Sequence, residues 1–104
     1  MNKFAENIGD IISLVSPDKV YVIVDQGVYD GDPENGIHVD AVTDFERAKS
    51  IYLSKAAALE KYFLKMFEEH AIINRSDESL YFEAYQEGDY LKYHATVFVK
   101  TIEL

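Results

Sequence analysis

The sequence predicts an α+β domain of two layers, in which a mainly antiparallel four-stranded sheet packs against one long helix. Three observations support this fold class. Apolar and polar residues alternate in short runs in two separate parts of the chain, as they do in half-buried strands. Clusters of Gly, Asp and Asn separate these runs. Between the two parts, apolar residues recur at helical spacing over a long segment. The predicted order is α-β-β-α-β-β, in a single domain of residues 1–104.

The first predicted helix covers residues 2–15. Its apolar side chains recur at intervals of four, three and four residues, at Phe4, Ile8, Ile11 and Val15. This spacing places them on one side of a helix. Pro17 ends the helix, because proline disfavours the α conformation in the residue before it. Gly9 lowers the helix propensity, so packing against the rest of the protein must stabilise the segment.

The first predicted hairpin follows directly. Residues 20–24 form an unbroken β-branched and aromatic run, which predicts a strand near the centre of the sheet. Turn-forming residues fill the loop between Gly27 and Gly36. Residues 37–42 alternate between apolar and polar types, and we expect them to form a strand that pairs back on the first.

The long helix is predicted over residues 44–70. Thr43 and Glu46 have the spacing of a capping box at its start. A single apolar stripe then keeps its phase through Phe45, Ala48, Tyr52, Ala56, Leu59, Phe63, Met66, Phe67 and His70. Such a helix is about 40 Å long, whereas a six-residue strand covers about 20 Å. The surplus length suggests packing against the first helix or against a second copy of the chain.

The second predicted hairpin closes the sheet. Residues 74–79 are polar and are predicted to be a connection. The alternating residues 80–85 predict the third strand, residues 86–89 a turn, and residues 90–102 a long final strand.

Composition excludes several classes of protein. The chain has 19 acidic and 10 basic residues, a net charge of −9 and no cysteine. Without cysteine there is neither a disulfide framework nor a thiolate metal site. The acidic balance argues against direct nucleic-acid binding and against an anionic membrane surface. Glu6 and Asp10 interrupt the apolar stretch that a signal peptide needs, and no apolar run is long enough to span a membrane. We therefore expect a cytoplasmic protein.

The charges fall into blocks of one sign. Residues 20–46 contain seven acids and no Lys or Arg, and residues 66–91 contain seven acids and one Arg. Residues 47–65 between them contain five bases and one acid. In the predicted fold the acidic blocks are loops and turns of the hairpins, and the bases line the outer side of the helix. One interpretation is that these are ordinary solvated surfaces.

A second interpretation is that the acidic, tyrosine-containing hairpin loops bind a basic protein partner. Charges of one sign speed association with an oppositely charged surface, and aromatic side chains supply contact area. The predicted partner-binding residues are Asp25, Tyr29, Asp30, Asp32, Glu34, Glu83, Tyr85, Glu87, Asp89 and Tyr90. No cofactor and no metal are expected.

Catalytic motifs are absent from the sequence. It has no G-x-S-x-G, no phosphate-binding glycine loop and no dinucleotide fingerprint. His70 is interpreted as a core-filling or helix-capping residue, because it follows the apolar stripe near the predicted helix end. A zinc site built from His38, Asp40 and His94 on two strands would be the basis of an alternative function, a small metal-dependent hydrolase.

Three segments also resemble small proteins encoded by phages and mobile elements. They are the strand at residues 19–24, the turn at residues 27–31 and the helix start at residues 42–49. Some small acidic members of this group are anti-defence inhibitors, including anti-CRISPR proteins that occupy nucleic-acid-binding surfaces. The resemblance does not extend to the second hairpin and assigns no site residue.

The leading hypothesis is a non-enzymatic inhibitor that binds a basic, nucleic-acid-handling protein, such as a nuclease, through its acidic hairpin loops. An immunity protein that neutralises a nuclease toxin would rely on the same physics. The alternative of another kind is a homodimeric regulatory or structural module whose long helix pairs with its copy, the acidic loops serving only to keep it in solution.

Overall fold

The computed structural model describes residues 18–32 and 36–104. In these residues one helix packs on a five-stranded antiparallel sheet, which confirms the α+β class and corrects the predicted strand number of four. The elements are β1 (Lys19–Val28), β2 (Ile37–Val42), α1 (Phe45–Phe67), β3 (Ala71–Ser76), β4 (Tyr81–Gln86) and β5 (His94–Glu103). The predicted helix over residues 2–15 and the predicted site residue Glu34 lie outside the described residues.

The strand order in the sheet is β2-β1-β5-β4-β3. β5 lies between the β1–β2 hairpin and the β3–β4 hairpin and joins them into one sheet. It pairs with β1 from Lys19 opposite Glu103 to Val28 opposite His94, and with β4 on its other side. It begins later than predicted, and residues 90–93 belong to the loop before it. The long central pair places the ends of both hairpins in a fixed relation to one another.

The helix starts at a different cap from the predicted one. Asp44, rather than Thr43, is the N-cap residue, and its Oδ1 accepts a hydrogen bond from the backbone N–H of Glu46 at 3.2 Å. A carboxylate at this position satisfies one of the free N–H groups and lies at the positive end of the helix dipole.

The helix also ends earlier than predicted, at Phe67 instead of His70. Glu68 has a φ of +51°, a left-handed conformation that stops the helix, and one 3₁₀ turn over Glu68–His70 leads into the next strand. The 23 residues of α1 give a length of about 35 Å. Because the ten-residue strands β1 and β5 are each about 33 Å long, the helix has no surplus length that would suggest self-association.

β3 is the strand that the sequence analysis missed, since part of it was predicted to be a polar connection. Arg75 faces the helix from this strand, and its Nη1 lies 2.8 Å from a carboxylate oxygen of Glu60. Its Nε lies 2.7 Å from Asp77. A polar side chain can occupy the packed side of a strand when it is paired in this way, and the strand then lacks the usual apolar pattern.

The core lies between α1 and one face of the sheet. Tyr52 and Phe63 of the helix pack with Ile23, Phe82 and Val97 of the sheet, and all five are fully buried. A buried aromatic or aliphatic side chain of this kind contributes about 1.5–3 kcal/mol.

The predicted apolar stripe of the helix is buried only in its middle. Its ends are more open, because Phe45 and Met66 are 42% and 51% exposed. His70, which was predicted to fill the core or cap the helix, has a side chain that is 67% exposed and lies beside Glu87.

The sheet has a second face, opposite α1, which we call the open face. Ile23 and Val99 are paired across β1 and β5 and point toward the core, so the next pair along the strands, Val24 and Phe98, points to the open face. In the described part of the chain, α1 is the only helix longer than one turn, and it lies on the other side.

Candidate protein-binding surface

The two hairpin loops meet at one end of the sheet. β1 ends where β5 begins, with Val28 opposite His94. The backbone N–H of Gly31 donates a hydrogen bond of 2.8 Å to the carbonyl oxygen of Lys92. The β1–β2 loop and the β4–β5 loop are therefore tied together directly, although about sixty positions separate them in the sequence.

A third segment joins them from the end of the helix. The backbone N–H of Glu87 donates to the carbonyl oxygen of His70 at 2.8 Å, and Nδ1 of His70 is 3.2 Å from Oε1 of Glu87. The rings of Phe67 and Tyr93 pack edge to face with their centres 5.0 Å apart. We call the surface formed by residues 29–32, 68–70 and 87–93 the loop end.

The loop end carries a strong excess of negative charge. Its three segments contain six carboxylates and one lysine, at Asp30, Asp32, Glu68, Glu69, Glu87, Asp89 and Lys92. Lys92 Nζ is 3.7 Å from Asp30, but both side chains are more than half exposed, and such a pair contributes only about 0–1 kcal/mol. The C-terminus of α1 points its partial negative charge to the same place.

Glu68 and Glu69 were not among the predicted site residues. The sequence analysis placed them inside the long helix, where they read as part of its polar side. After His70 the helical spacing of apolar residues gives way to a run typical of a strand. This change indicates that the helix ends before His70, which would have placed both carboxylates at the loop end.

An exposed apolar pair lies among these charges. Tyr90 is 41% exposed and Leu91 is 81% exposed. The Tyr90 ring stacks on His94 with centres 4.4 Å apart and contacts Tyr85 edge to face at 5.0 Å. Its position is therefore fixed by packing, whereas Leu91 extends into solvent. Leu91, like Glu68 and Glu69, is a site residue that the sequence analysis missed.

The Tyr90 hydroxyl is held by a carboxylate. It donates a hydrogen bond of 3.2 Å to Oε2 of Glu83, while Nδ2 of Asn74 donates to Oε1 of Glu83 at 3.3 Å. Burial, followed by the negative charge of Glu83, raises the pKa of Tyr90. A tyrosine phenol is protonated at neutral pH, so the hydroxyl can donate this hydrogen bond there. Glu83 and Tyr85 lie on the open face next to the loop end, so these predicted residues adjoin Tyr90.

Asp25 and Tyr29, two of the predicted residues, make contacts with α1. Asp25 faces α1, where its carboxylate is 2.6 Å from Lys55 Nζ and only 19% exposed. The Tyr29 ring packs edge to face on Tyr62, 5.8 Å away, and burial raises its pKa. An ion pair under the helix and a half-buried ring supply little contact area for a partner.

The alternative zinc site is not assembled. His38 is paired with Asp25 on the helix side of the sheet, whereas His94 is paired with Val28 on the open face. Within residues 18–32 and 36–104, no group of three or more His, Asp or Glu side chains is placed to hold a metal ion.

A separate polar network lies at the opposite end of β3. The Tyr52 hydroxyl donates to the carbonyl oxygen of Tyr81 at 2.8 Å and is 3.1 Å from Oδ1 of Asp77. Burial and the hydrogen bond to Asp77 raise the pKa of Tyr52 to about 12. Hydrogen bonding from Arg75 lowers the pKa of Asp77. This network fixes the helix to the β3–β4 hairpin, which indicates a structural role.

Of the described residues, no helical segment combines the length and the apolar character needed to cross a bilayer. Comparison of the chain with protein-family models, curated proteins and solved structures gives no match.

Proposed function

We propose that the protein is a non-enzymatic inhibitor that binds a basic, nucleic-acid-handling protein through its loop end. The observation that carries this proposal is the convergence of three acidic segments around Tyr90 and Leu91. The carboxylates supply a field of one sign, and the exposed pair supplies anchors that can enter a pocket of the partner.

The two components have different physical effects. Clustered carboxylates can raise the association rate with a basic surface by about 10- to 1000-fold at low salt. Exposed ion pairs add little affinity individually, about 0–1 kcal/mol each. Aromatic and aliphatic anchors that become fully buried dominate the binding energy of most interfaces. The loop end combines both.

Inhibition follows from the nature of the partner surface. A protein that handles nucleic acid uses Lys and Arg side chains to neutralise phosphates. Carboxylates held on a rigid surface compete for the same side chains, so occupation by the loop end excludes the nucleic acid. The resemblance of residues 19–24, 27–31 and 42–49 to small phage proteins agrees with an anti-defence role in the host cytoplasm. An immunity protein against a nuclease toxin would act in the same way.

The test uses matched charge variants of the whole chain. In the loop-end variant, Asp30→Asn, Glu69→Gln and Asp89→Asn remove three charges. In the control variant, Asp18→Asn, Glu78→Gln and Glu103→Gln remove three charges outside the loop end. Each protein is used to capture partners from a lysate of the native host, and the association rate with the captured protein is measured from low to high salt.

We expect the wild-type and control proteins to capture the same basic protein, and the loop-end variant to associate about tenfold more slowly at low salt, with a weaker salt dependence. Leu91→Ala should speed dissociation about fivefold or more, whereas Leu104→Ala, at another exposed leucine, should not. Association that is equal for both charge variants, or independent of salt, would refute the proposal.

A further inference from the structure

Three tyrosines on the open face lie around one carboxylate. Their positions on β4 alternate with the buried core residues of that strand, so Tyr81, Glu83 and Tyr85 point to the open face. Tyr90 joins them from the β4–β5 loop, because its hydroxyl donates to Oε2 of Glu83 at 3.2 Å and its ring contacts Tyr85. Burial and the negative charge of Glu83 raise the pKa of Tyr81, as they do that of Tyr90, so both phenols lie near the carboxylate. We call Tyr81, Glu83, Tyr85 and Tyr90 the tyrosine cluster.

The charge of Glu83 is hydrogen-bonded but not neutralised. Nδ2 of Asn74 donates to Oε1 at 3.3 Å, and the Tyr90 hydroxyl donates to Oε2, so neither donor carries a charge. Among the residues that the structure describes, no Lys or Arg side chain forms an ion pair with this carboxylate. Each carboxylate oxygen has two lone pairs, so both oxygens can accept one further hydrogen bond from a cation of another molecule.

The ring of Tyr90 is held in place and is still accessible. One of its faces stacks on His94, with ring centres 4.4 Å apart and 8° between the ring planes. Nδ1 of His94 is 2.7 Å from the carbonyl oxygen of Tyr90, and since a carbonyl oxygen only accepts, the imidazole donates this hydrogen bond. Tyr90 is nevertheless 41% exposed. The exposed area lies away from His94, so a ligand can contact the ring without displacing it.

We propose that the tyrosine cluster binds the guanidinium group of an arginine side chain on the partner protein. A cation within about 6 Å of the centre of a tyrosine ring is attracted by the negative potential of the ring face. The guanidinium group is planar and stacks on aromatic rings, and its N–H groups can pair with both oxygens of a carboxylate. Tyr90 and Glu83 offer these two contacts side by side, since they are hydrogen-bonded to each other.

Arginine fits this site better than lysine. The ammonium group of lysine is a strongly hydrated point charge, which does not match the plane of a ring or both oxygens of a carboxylate. Arginine recognition by the cluster rests on the proposed function, for which it names the group that a basic partner inserts. The carboxylates of the loop end attract any cation over a long range, whereas the tyrosine cluster selects one kind of cation by direct contact.

An NMR titration of the full chain with blocked tripeptides tests this binding and needs no identified partner. The probes are acetyl-Gly-Arg-Gly-amide and the same peptide with lysine or with citrulline, the neutral isostere of arginine. About 150 mM NaCl screens the long-range field of the loop end. The site variants are Glu83→Gln and Tyr90→Leu. Their controls are Glu78→Gln and Tyr62→Leu, since Tyr62 on α1 is 38% exposed and Tyr90 is 41% exposed. The spectrum of each variant verifies that it is folded.

We expect the arginine peptide to shift the signals of the tyrosine cluster with a Kd of about 1–10 mM. The lysine peptide should bind at least about threefold more weakly, and the citrulline peptide should not bind. Glu83→Gln and Tyr90→Leu should each weaken binding of the arginine peptide about fivefold or more, because one removes the charge and the other the ring. The control variants should stay within about twofold of wild type.

The loop-end variant separates this result from the proposed function, because it removes three charges but no part of the cluster. It should bind the arginine peptide within about twofold of wild type. A larger loss, equal affinity for the arginine and lysine peptides, equal affinity of wild type and the site variants, or no shifts at the cluster would overturn arginine recognition. Each of these outcomes is compatible with charge-dependent capture of a partner. Conversely, arginine binding at the cluster together with capture that ignores the loop-end charges would refute the proposed function alone.

Discussion

At the scale of single residues, Tyr52 connects the middle of α1 to the β3–β4 hairpin. Its hydroxyl donates to the carbonyl oxygen of Tyr81 and lies beside the carboxylate of Asp77. Its ring is fully buried, so the hydroxyl cannot exchange these partners for water without moving the helix. The helical spacing predicts that Tyr52 is buried, but nothing in the sequence identifies the partners of its hydroxyl, because they come from a hairpin more than twenty positions away.

Tyr52→Phe should lower the free energy of unfolding by about 1–2 kcal/mol, because the carbonyl of Tyr81 loses a donor. The effect should depend on pH. The folded-state pKa of about 12 lies above the ordinary tyrosine value of 10, so the contribution is complete below about pH 10 and is lost as pH rises toward 12. Urea denaturation of both proteins at several pH values measures this difference.

The control is Tyr62→Phe, because Tyr62 is on the exposed part of the helix and is 38% accessible. It should change the free energy of unfolding by about 0.5 kcal/mol or less. A constant difference between wild type and Tyr52→Phe from neutral to alkaline pH would contradict the assignment of the raised pKa to this hydroxyl.

At the scale of elements, the sequence predicts those whose side chains follow a simple period. β1, β2 and β4 alternate or form an unbroken apolar run, and the middle of α1 keeps one stripe. β3 is not predicted in this way, because Arg75 occupies a position on its packed side. The charge of Arg75 is paired with Glu60 and Asp77, and a periodic pattern of apolar residues does not reveal such ion pairs. The end of α1 is not predicted either, because it depends on the positive φ of one residue, Glu68, which changes the direction of the chain.

The end of β1 offers a test of how the first hairpin is packed. A Cβ atom on Gly27 would lie 2.8 Å from Cε2 of the Tyr29 ring, which is closer than side-chain carbons approach one another. Gly27→Ala should therefore lower the free energy of unfolding by about 1–3 kcal/mol. The same substitution in a Tyr29→Ala background should have a much smaller effect, because the ring is no longer there.

Chemical denaturation of the four proteins in this double-mutant cycle gives the coupling between the two positions. We expect a coupling of about 1 kcal/mol or more, which means that Gly27→Ala destabilises the protein less when Tyr29 is replaced by Ala. If Gly27→Ala has the same effect in both backgrounds, the strand itself rather than the ring opposes the side chain.

At the scale of the whole molecule, the pairing of β1 with β5 decides where the charges are. Local patterns predict two hairpins with acidic loops but do not say whether those loops meet. The ten-position register of β1 against β5 settles this, since it places residues 29–32 next to residues 87–93. Such a register depends on contacts between distant parts of the chain. The sequence alone therefore identifies four of the six acidic residues of the candidate surface, Asp30, Asp32, Glu87 and Asp89, but not their arrangement.

The concentration of charge should be visible without a partner. Six carboxylates at one end repel one another in the folded protein, and salt screens this repulsion. The melting temperature should therefore rise by about 2–5 °C between about 10 and 200 mM NaCl. The loop-end variant should lose most of this rise, whereas the control variant with three substitutions elsewhere should keep it. Thermal scans of all three proteins make the comparison, and equal rises would mean that the repulsion is spread over the surface.

The central position of β5 has a consequence for the order in which the molecule can form. The β1–β2 and β3–β4 hairpins each pair strands that follow one another in the sequence. They become one sheet only when β5, the last of the five strands, inserts between β1 and β4. During synthesis on the ribosome, the first hairpin and the helix emerge with an unpaired backbone edge that no earlier part of the described chain can fill. Assembly is therefore delayed until β5 is released, and removal of that strand would separate the protein into two halves with no shared hydrogen bonds between their strands.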